Sequence, residues 1–297
     1  MISSEDKKKT VLVTGSNGQL GSELRELSAK YPEYNFLFTT RAELPIEDND
    51  SIQSLFNSQQ IDFCINCAAY TAVDKAESEK EKAFIINADA AGAFASACRK
   101  HNTKLIHIST DYVYDGSSPN ALTEENAVAP LNVYGLSKLK GEELVINNSP
   151  SALIIRTSWV YSYYGNNFVK TMLRLFKEKE SINVVNDQYG CPTYAADLAE
   201  IIMKVIEESK EGNQFNGIVN YSNSGITTWF EFAGAIKALV HSPCKIRPVA
   251  TSQYPTPARR PQHSVMDTSK IKNMLNTGIP FWKDSLEKCI DRLSADS

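Results

Sequence analysis

Tyr134 and Lys138 stand four residues apart, and Ser109 and Thr110 close an apolar run some two dozen residues before them. These residue types can protonate a ketone oxygen while the carbon is reduced. A phenol can donate that proton, but its ordinary pKa near 10 is high for work at neutral pH, so a nearby cation that favours the phenolate is expected. On a helix, positions i and i+4 share a face about 5–6 Å apart at Cβ, which sets the Lys138 ammonium beside the Tyr134 phenol. The Thr110 hydroxyl then hydrogen-bonds a substrate carbonyl and holds it against Tyr134. A chain with 13 tyrosines contains roughly one such spacing by chance, so the pair needs independent support.

That support lies at the N-terminus. Val11-Leu12-Val13 is a short β-branched run leading into Gly15-Ser16-Asn17-Gly18-Gln19-Leu20-Gly21 and then Glu23-Leu24-Arg25-Glu26-Leu27, which reads as strand, glycine turn and helix. Glycines there permit a tight turn, close approach of a pyrophosphate to backbone amides, and close packing of helix on strand. The helix N-terminus favours the phosphate charge.

The elements that must position these groups alternate regularly. Strands are predicted near Val11–Thr14, Asn35–Thr39, Asp62–Asn66, Lys104–Ser109 and Ala152–Thr157, with helices over Gln19–Lys30, Ser51–Gln59, Lys80–Lys100 and Tyr134–Ile146. This is βαβ order, and right-handed crossovers make it a doubly wound parallel α/β sheet of the Rossmann kind. Ligands of such sheets bind at the carboxyl ends of the strands, where Gly15, Ala68-Ala69-Tyr70, Ser109-Thr110 and Thr157-Ser158-Trp159 all fall. After Gly165 the pattern is less regular: helices over Phe168–Lys179, Ala195–Glu208 and Thr228–Val240, strands at Ile182–Val185 and Ile218–Tyr221, and loops at Asn186–Thr193 and Tyr254–Pro261. Residues 1–165 are therefore expected to form mainly the dinucleotide-binding domain. Residues 166–297 are expected to form mainly a smaller C-terminal substrate-binding lobe, with some segments returning to the first domain.

The 297 residues suffice for one large α/β domain with a smaller lobe, and the formal net charge is -4. No basic run is long enough to track a phosphate backbone, Lys7–Lys9 being a short tail segment, so nucleic acid is not expected as a partner. No stretch approaches 18 apolar residues and the start lacks a signal-peptide core, so no membrane partner and a cytoplasmic location are expected. Glu207–Gly212 reads as a solvated helix end. Of the six cysteines, only Cys64 and Cys67 are close. On one strand they would face opposite sides, as small buried hydrophobes rather than a metal or redox pair. The four histidines have no ligand spacing, and no metal is expected.

Two further sets suit a phosphorylated ligand. Thr39-Thr40-Arg41 follows the second strand, where NAD enzymes commonly carry an acidic residue for the ribose hydroxyl. Arg41 there leans towards the 2'-phosphate of NADPH, with NADH also admitted. Arg259 and Arg260, in a proline-framed loop, are candidates for a substrate diphosphate because a guanidinium fork matches phosphate oxygens, although surface arginines read as readily.

With GxxGxxG, a Ser-Thr strand end and YxxxK in that order, the chain resembles the extended short-chain dehydrogenase/reductases. Asn66–Glu77, Ser109–Tyr114, Pro130–Gly135, Arg156–Tyr161 and Asn186–Thr193 are similar to motifs of the dTDP-4-dehydrorhamnose reductase family. The resemblance runs from about Thr10 into the C-terminal region. It implies NAD(P)H-dependent reduction of the C4 ketone of dTDP-4-dehydro-L-rhamnose, a step towards surface polysaccharide. It also implies Tyr134 as proton donor, Lys138 as its electrostatic partner and nicotinamide-ribose ligand, and Thr110 as the carbonyl-binding hydroxyl. Within the glycine turn from Gly15 to Gly21, itself expected to bind the cofactor, Gly18, Gln19 and Leu20 would face the pyrophosphate, with Ala68, Ala69 and Tyr70 along the path from adenosine to nicotinamide. Asp111 and Trp159 fall at sugar-contacting positions, an aromatic face suiting the C–H side of a deoxysugar. Pro45 departs from the family's aspartate beside the adenosine pocket. Some members hold Mg2+ at a dimer contact through clustered acids, and no such cluster is assigned here; a homodimer is an admitted assembly.

Three rivals remain open. A 4,6-dehydratase usually carries Asp-Glu after the catalytic threonine, whereas Asp111-Tyr112 follows Thr110. A 4-epimerase uses the same tyrosine and lysine. A non-catalytic dinucleotide-binding regulatory subunit has no need to keep all three of Thr110, Tyr134 and Lys138.

Overall fold

A computed structural model describes residues 8–210 and 212–295. The Met1–Lys7 start, and Glu211 within the expected helix end, lie outside the described residues. The first half alternates strand and helix: β1 (Lys9–Thr14), α1 (Gln19–Leu27), β2 (Tyr34–Thr39), α2 (Asn49–Ser58), β3 (Phe63–Asn66), α3 (Val73–Ala76), α4 (Lys80–Phe84), α5 (Ala90–Lys100), β4 (Lys104–Thr110), α6 (Val133–Asn148) and β5 (Leu153–Thr157). The second half adds β6 (Val160–Tyr161), α7 (Phe168–Glu178), β7 (Ser181–Val185), β8 (Tyr189–Gly190), β9 (Thr193–Tyr194), α8 (Ala195–Lys210), β10 (Gly217–Asn220), β11 (Thr227–Thr228), α9 (Trp229–Leu239), β12 (Lys245–Val249), α10 (Ser269–Met274) and α11 (Trp282–Ala295).

Six strands form one parallel sheet in the order β10-β5-β4-β3-β1-β2. The strands are short apolar runs without alternation, as a sheet covered on both faces requires; β3 and β5 are buried throughout. One face packs Val11, Val13, Ile65 and Ile155 against Leu24 of α1 and Leu198, Ile202 and Ile206 of α8. The other packs Leu12, Cys64, Leu105 and Ile154 against Ile52 of α2, Phe94 of α5 and Val145 of α6. Thus, late in the chain, β10 completes this sheet at one edge and α8 covers part of one face. A separate core gathers Tyr161, Phe176, Tyr194, Phe232, Trp282 and Leu286 from the rest of the second half, where β7 pairs with β12.

The structure departs from the sequence expectations locally. The helix predicted over Lys80–Lys100 is interrupted by a π turn at Ile85–Asp89, and the Asn186–Thr193 loop contains β8 and part of β9. Cys67 lies beyond the end of β3 rather than on it.

Candidate active site

The strand ends open onto a crevice of about 820 Å3, within the range of small-molecule sites. β4 and β5 pair Thr110 with Thr157, so both strands end at one level. Asn132 N-caps α6 by accepting from the Gly135 N–H at 2.8 Å, which begins the helix at the right point to aim Tyr134 and then Lys138 at those ends. Thr110, Tyr134 and Lys138 all line the crevice.

Burial governs their protonation. The Tyr134 phenol is pushed up to about 12, first by desolvation; a hydrogen bond with Thr110 pulls it back and the nearby Asp111 pushes it further up. Lys138, 2% exposed, is pushed down to about 8 by desolvation, against the pull of Glu142 and then Cys67. Its ammonium donates to the Ile108 carbonyl at 2.6 Å. The sequence argument expects Lys138 to favour a phenolate. Here desolvation is the largest influence and Lys138 is not among the groups that shift the phenol, so Tyr134 holds its proton at neutral pH, the state a proton donor needs. The Thr110 hydroxyl donates to Asp111 Oδ1 at 3.0 Å, while Asp111 Oδ2 is buried with no hydrogen-bond partner among the described residues.

The glycine turn is built as a phosphate cradle. Gly15 has φ +63°, and a side chain there would meet the Ala68 backbone at 2.8 Å. Gly18 N-caps α1 without a side-chain hydrogen bond, leaving the first-turn amides for an anion. Gly15, Gly18, Gln19 and Leu20 line the crevice. Gly21 does not; a Cβ there would lie 2.5 Å from the Gly15 carbonyl, so it serves close helix–strand packing. Ala68, Ala69 and Tyr70 form the next wall. Asn87, in the π turn, accepts from the Tyr70 N–H at 2.8 Å and donates to the Tyr70 carbonyl at 3.1 Å. Arg41 stands at the mouth, its side chain 70% exposed and paired with Glu47.

At the other end, Trp159 and Trp229 stack with centroids 3.5 Å apart and planes at 8°, both lining the crevice. Trp159 has φ +48°, a strained conformation for a bulky residue. Gly190 makes room for it: a Cβ there would lie 2.6 Å from the indole. Asp111 also lines the crevice. Arg259 and Arg260 are absent from its lining: Arg260 grips Asp74 bidentately at 3.0 and 2.8 Å, and Arg259 meets Asn132 only through its carbonyl.

Sequence reasoning missed Trp229, Tyr112, Asn167 and Cys67. The Thr228-Trp229-Phe230-Glu231 capping box is a readable signal for Trp229, since it fixes a helix start there. Asn167, which caps α7 and donates to Gln19 Oε1 at 3.0 Å, had a capping signal but none for its partner. Among the described residues, no cluster of three or more His, Cys, Asp or Glu could hold a metal, and no helix is long and apolar enough to cross a membrane.

The family model described as RmlD substrate binding domain matches residues 9–295. A dTDP-4-dehydrorhamnose reductase of Aggregatibacter actinomycetemcomitans is 38% identical over 285 residues, covering 93% of this chain and 97% of that protein. The crystal structure of a dTDP-4-dehydrorhamnose reductase from Bacillus anthracis in complex with NADP superposes with a TM-score of 0.91 at 40% identity, over 96% of this chain and 99% of that one. A Clostridium acetobutylicum structure of the same description gives a TM-score of 0.91 at 37% identity, with the same coverage of both chains.

Proposed function

The chain belongs to the RmlD family of dTDP-4-dehydrorhamnose reductases, and from that premise we propose that it reduces the C4 ketone of dTDP-4-dehydro-L-rhamnose with NADPH, giving dTDP-L-rhamnose. The observation that carries the reading is the meeting of a protonated phenol, a buried ammonium and a threonine hydroxyl in the crevice that also holds the glycine turn.

The first-turn amides of α1 receive the pyrophosphate, and Arg41 meets the 2'-phosphate. Bound NADPH supplies the hydride. The Thr110 hydroxyl turns from Asp111 to the substrate carbonyl oxygen and fixes it beside Tyr134. As negative charge develops on that oxygen, Tyr134 gives up its proton, and the Lys138 ammonium stabilises the phenolate left behind. The C4 ketone thus gains one hydride and one proton to become an alcohol. Trp159 and Trp229, which both line the crevice, bound the space left for the deoxysugar.

The test is a NADPH-oxidation assay with dTDP-4-dehydro-L-rhamnose and other 4-keto nucleotide sugars, with product analysis. We expect stoichiometric NADPH loss and dTDP-L-rhamnose. Sugar interconversion without net NADPH oxidation would indicate an epimerase, and cofactor binding without turnover of any sugar would indicate a regulatory subunit.

A further inference from the structure

Tyr134, Lys138 and Glu142 follow one another at four-residue steps along α6, one stripe of the helix. Glu142 is 1% exposed, and its described hydrogen-bond partners are all donors. Oε1 accepts from Ser109 Oγ at 2.5 Å and Arg156 Nε at 2.9 Å, and Oε2 accepts from Arg156 Nη2 at 2.6 Å. Arg156, 2% exposed, is braced in turn by the Tyr114 hydroxyl at 2.8 Å. A buried ion pair is a poor device for stability alone, because apolar residues of like volume commonly do as well. Its position suggests another use.

The groups facing Lys138 come from three elements. Tyr134 and Glu142 share its helix; His107 and the Ile108 carbonyl belong to β4; Cys67 follows β3. Burial, helped by Lys138, holds the His107 titration well below its ordinary value, and burial pushes the Cys67 thiol up, so both are neutral. Glu142 is therefore the one carboxylate among the described groups acting on the lysine, and it opposes the effect of burial.

We propose that Glu142, clamped by Arg156 and Ser109, is a positioning residue that keeps Lys138 charged and ties the reactive stripe of α6 to the ends of β4 and β5. The proposal rests on the reductase reading for its meaning, but its test does not require turnover. Trace acetic anhydride labelling across pH, read by mass spectrometry, gives the pH at which the Lys138 amine becomes reactive. We expect a midpoint of about 8 in the wild type. In Glu142→Met/Arg156→Met, which removes both charges and fills the space with apolar atoms, the midpoint should fall by about one pH unit or more. Lys138 acts as an ammonium, so activity is lost as pH rises through its pKa; the alkaline limb of kcat/KM for the keto sugar should move to lower pH with the midpoint. Glu142→Gln, which keeps the shape and loses the charge, should shift the labelling midpoint in the same direction. A folded variant whose Lys138 midpoint matches the wild type would make the pair purely structural and overturn the proposal. Wild-type labelling as expected without reductase turnover would fault the assigned activity and not the Glu142–Lys138 coupling.

Discussion

Asp111 shows how far burial alone moves a group in this crevice. Its carboxyl is pushed up from an ordinary 3.8 to about 7, mainly by desolvation, with the hydrogen bond from Thr110 pulling back. The folded state therefore binds this proton more tightly than the unfolded chain. The contribution of Asp111 to stability falls as pH rises from about 4 through about 7, the window set by those two values. Asp111→Asn has no such cost. Relative to wild type it should gain stability across that window and keep the gain at higher pH, on the order of a few kcal/mol at most. Urea titrations of both proteins at either end of the window check this; a constant difference would mean the carboxyl ionises as freely in the fold as outside it. Arg41 is the opposite case, exposed and paired with the exposed Glu47. Such a pair is worth little, so re-aiming Arg41 at a 2'-phosphate is cheap. Arg41→Ala should weaken NADPH roughly tenfold or more while leaving NADH nearly unchanged. Titrations with both cofactors decide, and equal weakening would remove Arg41 from the 2'-phosphate. Tyr134, Lys138 and Thr110 were legible because helix spacing and a strand end fix their geometry locally. The pairing of Arg260 was not, because its partner Asp74 lies 186 residues away.

At the scale of elements, the π turn between α4 and α5 has a specific consequence. It brings Asn87 inward to hold both backbone groups of Tyr70 and to donate to the Ser137 hydroxyl at 2.9 Å, joining the cofactor wall to α6. The contact is close because Gly141 has no side chain; a Cβ there would lie 2.1 Å from the Asn87 carbonyl oxygen. Gly141→Ala should cost about 1–3 kcal/mol through overpacking against backbone that cannot yield. It should also weaken NADPH binding, as Asn87 loses its hold on Tyr70. Thermal melting and a cofactor titration would register both, and a wild-type Tm would mean the two helices part freely. Apolar spacing predicted the existence and type of the long elements, but one alanine-rich run carries no mark of an extra residue in a helical turn. The two-residue strands β8 and β9 were invisible for a related reason: their partners, β11 and β6, lie elsewhere in the chain.

Across the whole molecule, the two halves are tied at the cofactor turn itself. Gln19 accepts from Asn167, and the buried Glu23 accepts from Ser162 at 2.5 Å and from Arg292 of the C-terminal helix at 3.0 Å. The parallel sheet was readable from strand–helix alternation, while the return of β10 and α8 to it depends on packing that no local pattern specifies. The crevice is the product of that assembly: a turn after β1, a wall after β3, a hydroxyl at the end of β4, and a phenol and ammonium from α6. The most direct test of this account is the turnover of Tyr134→Phe with NADPH and dTDP-4-dehydro-L-rhamnose, measured beside its NADPH affinity. Loss of the proton donor alone should lower turnover by on the order of a hundredfold or more with little change in cofactor affinity. Wild-type turnover in that variant would contradict it.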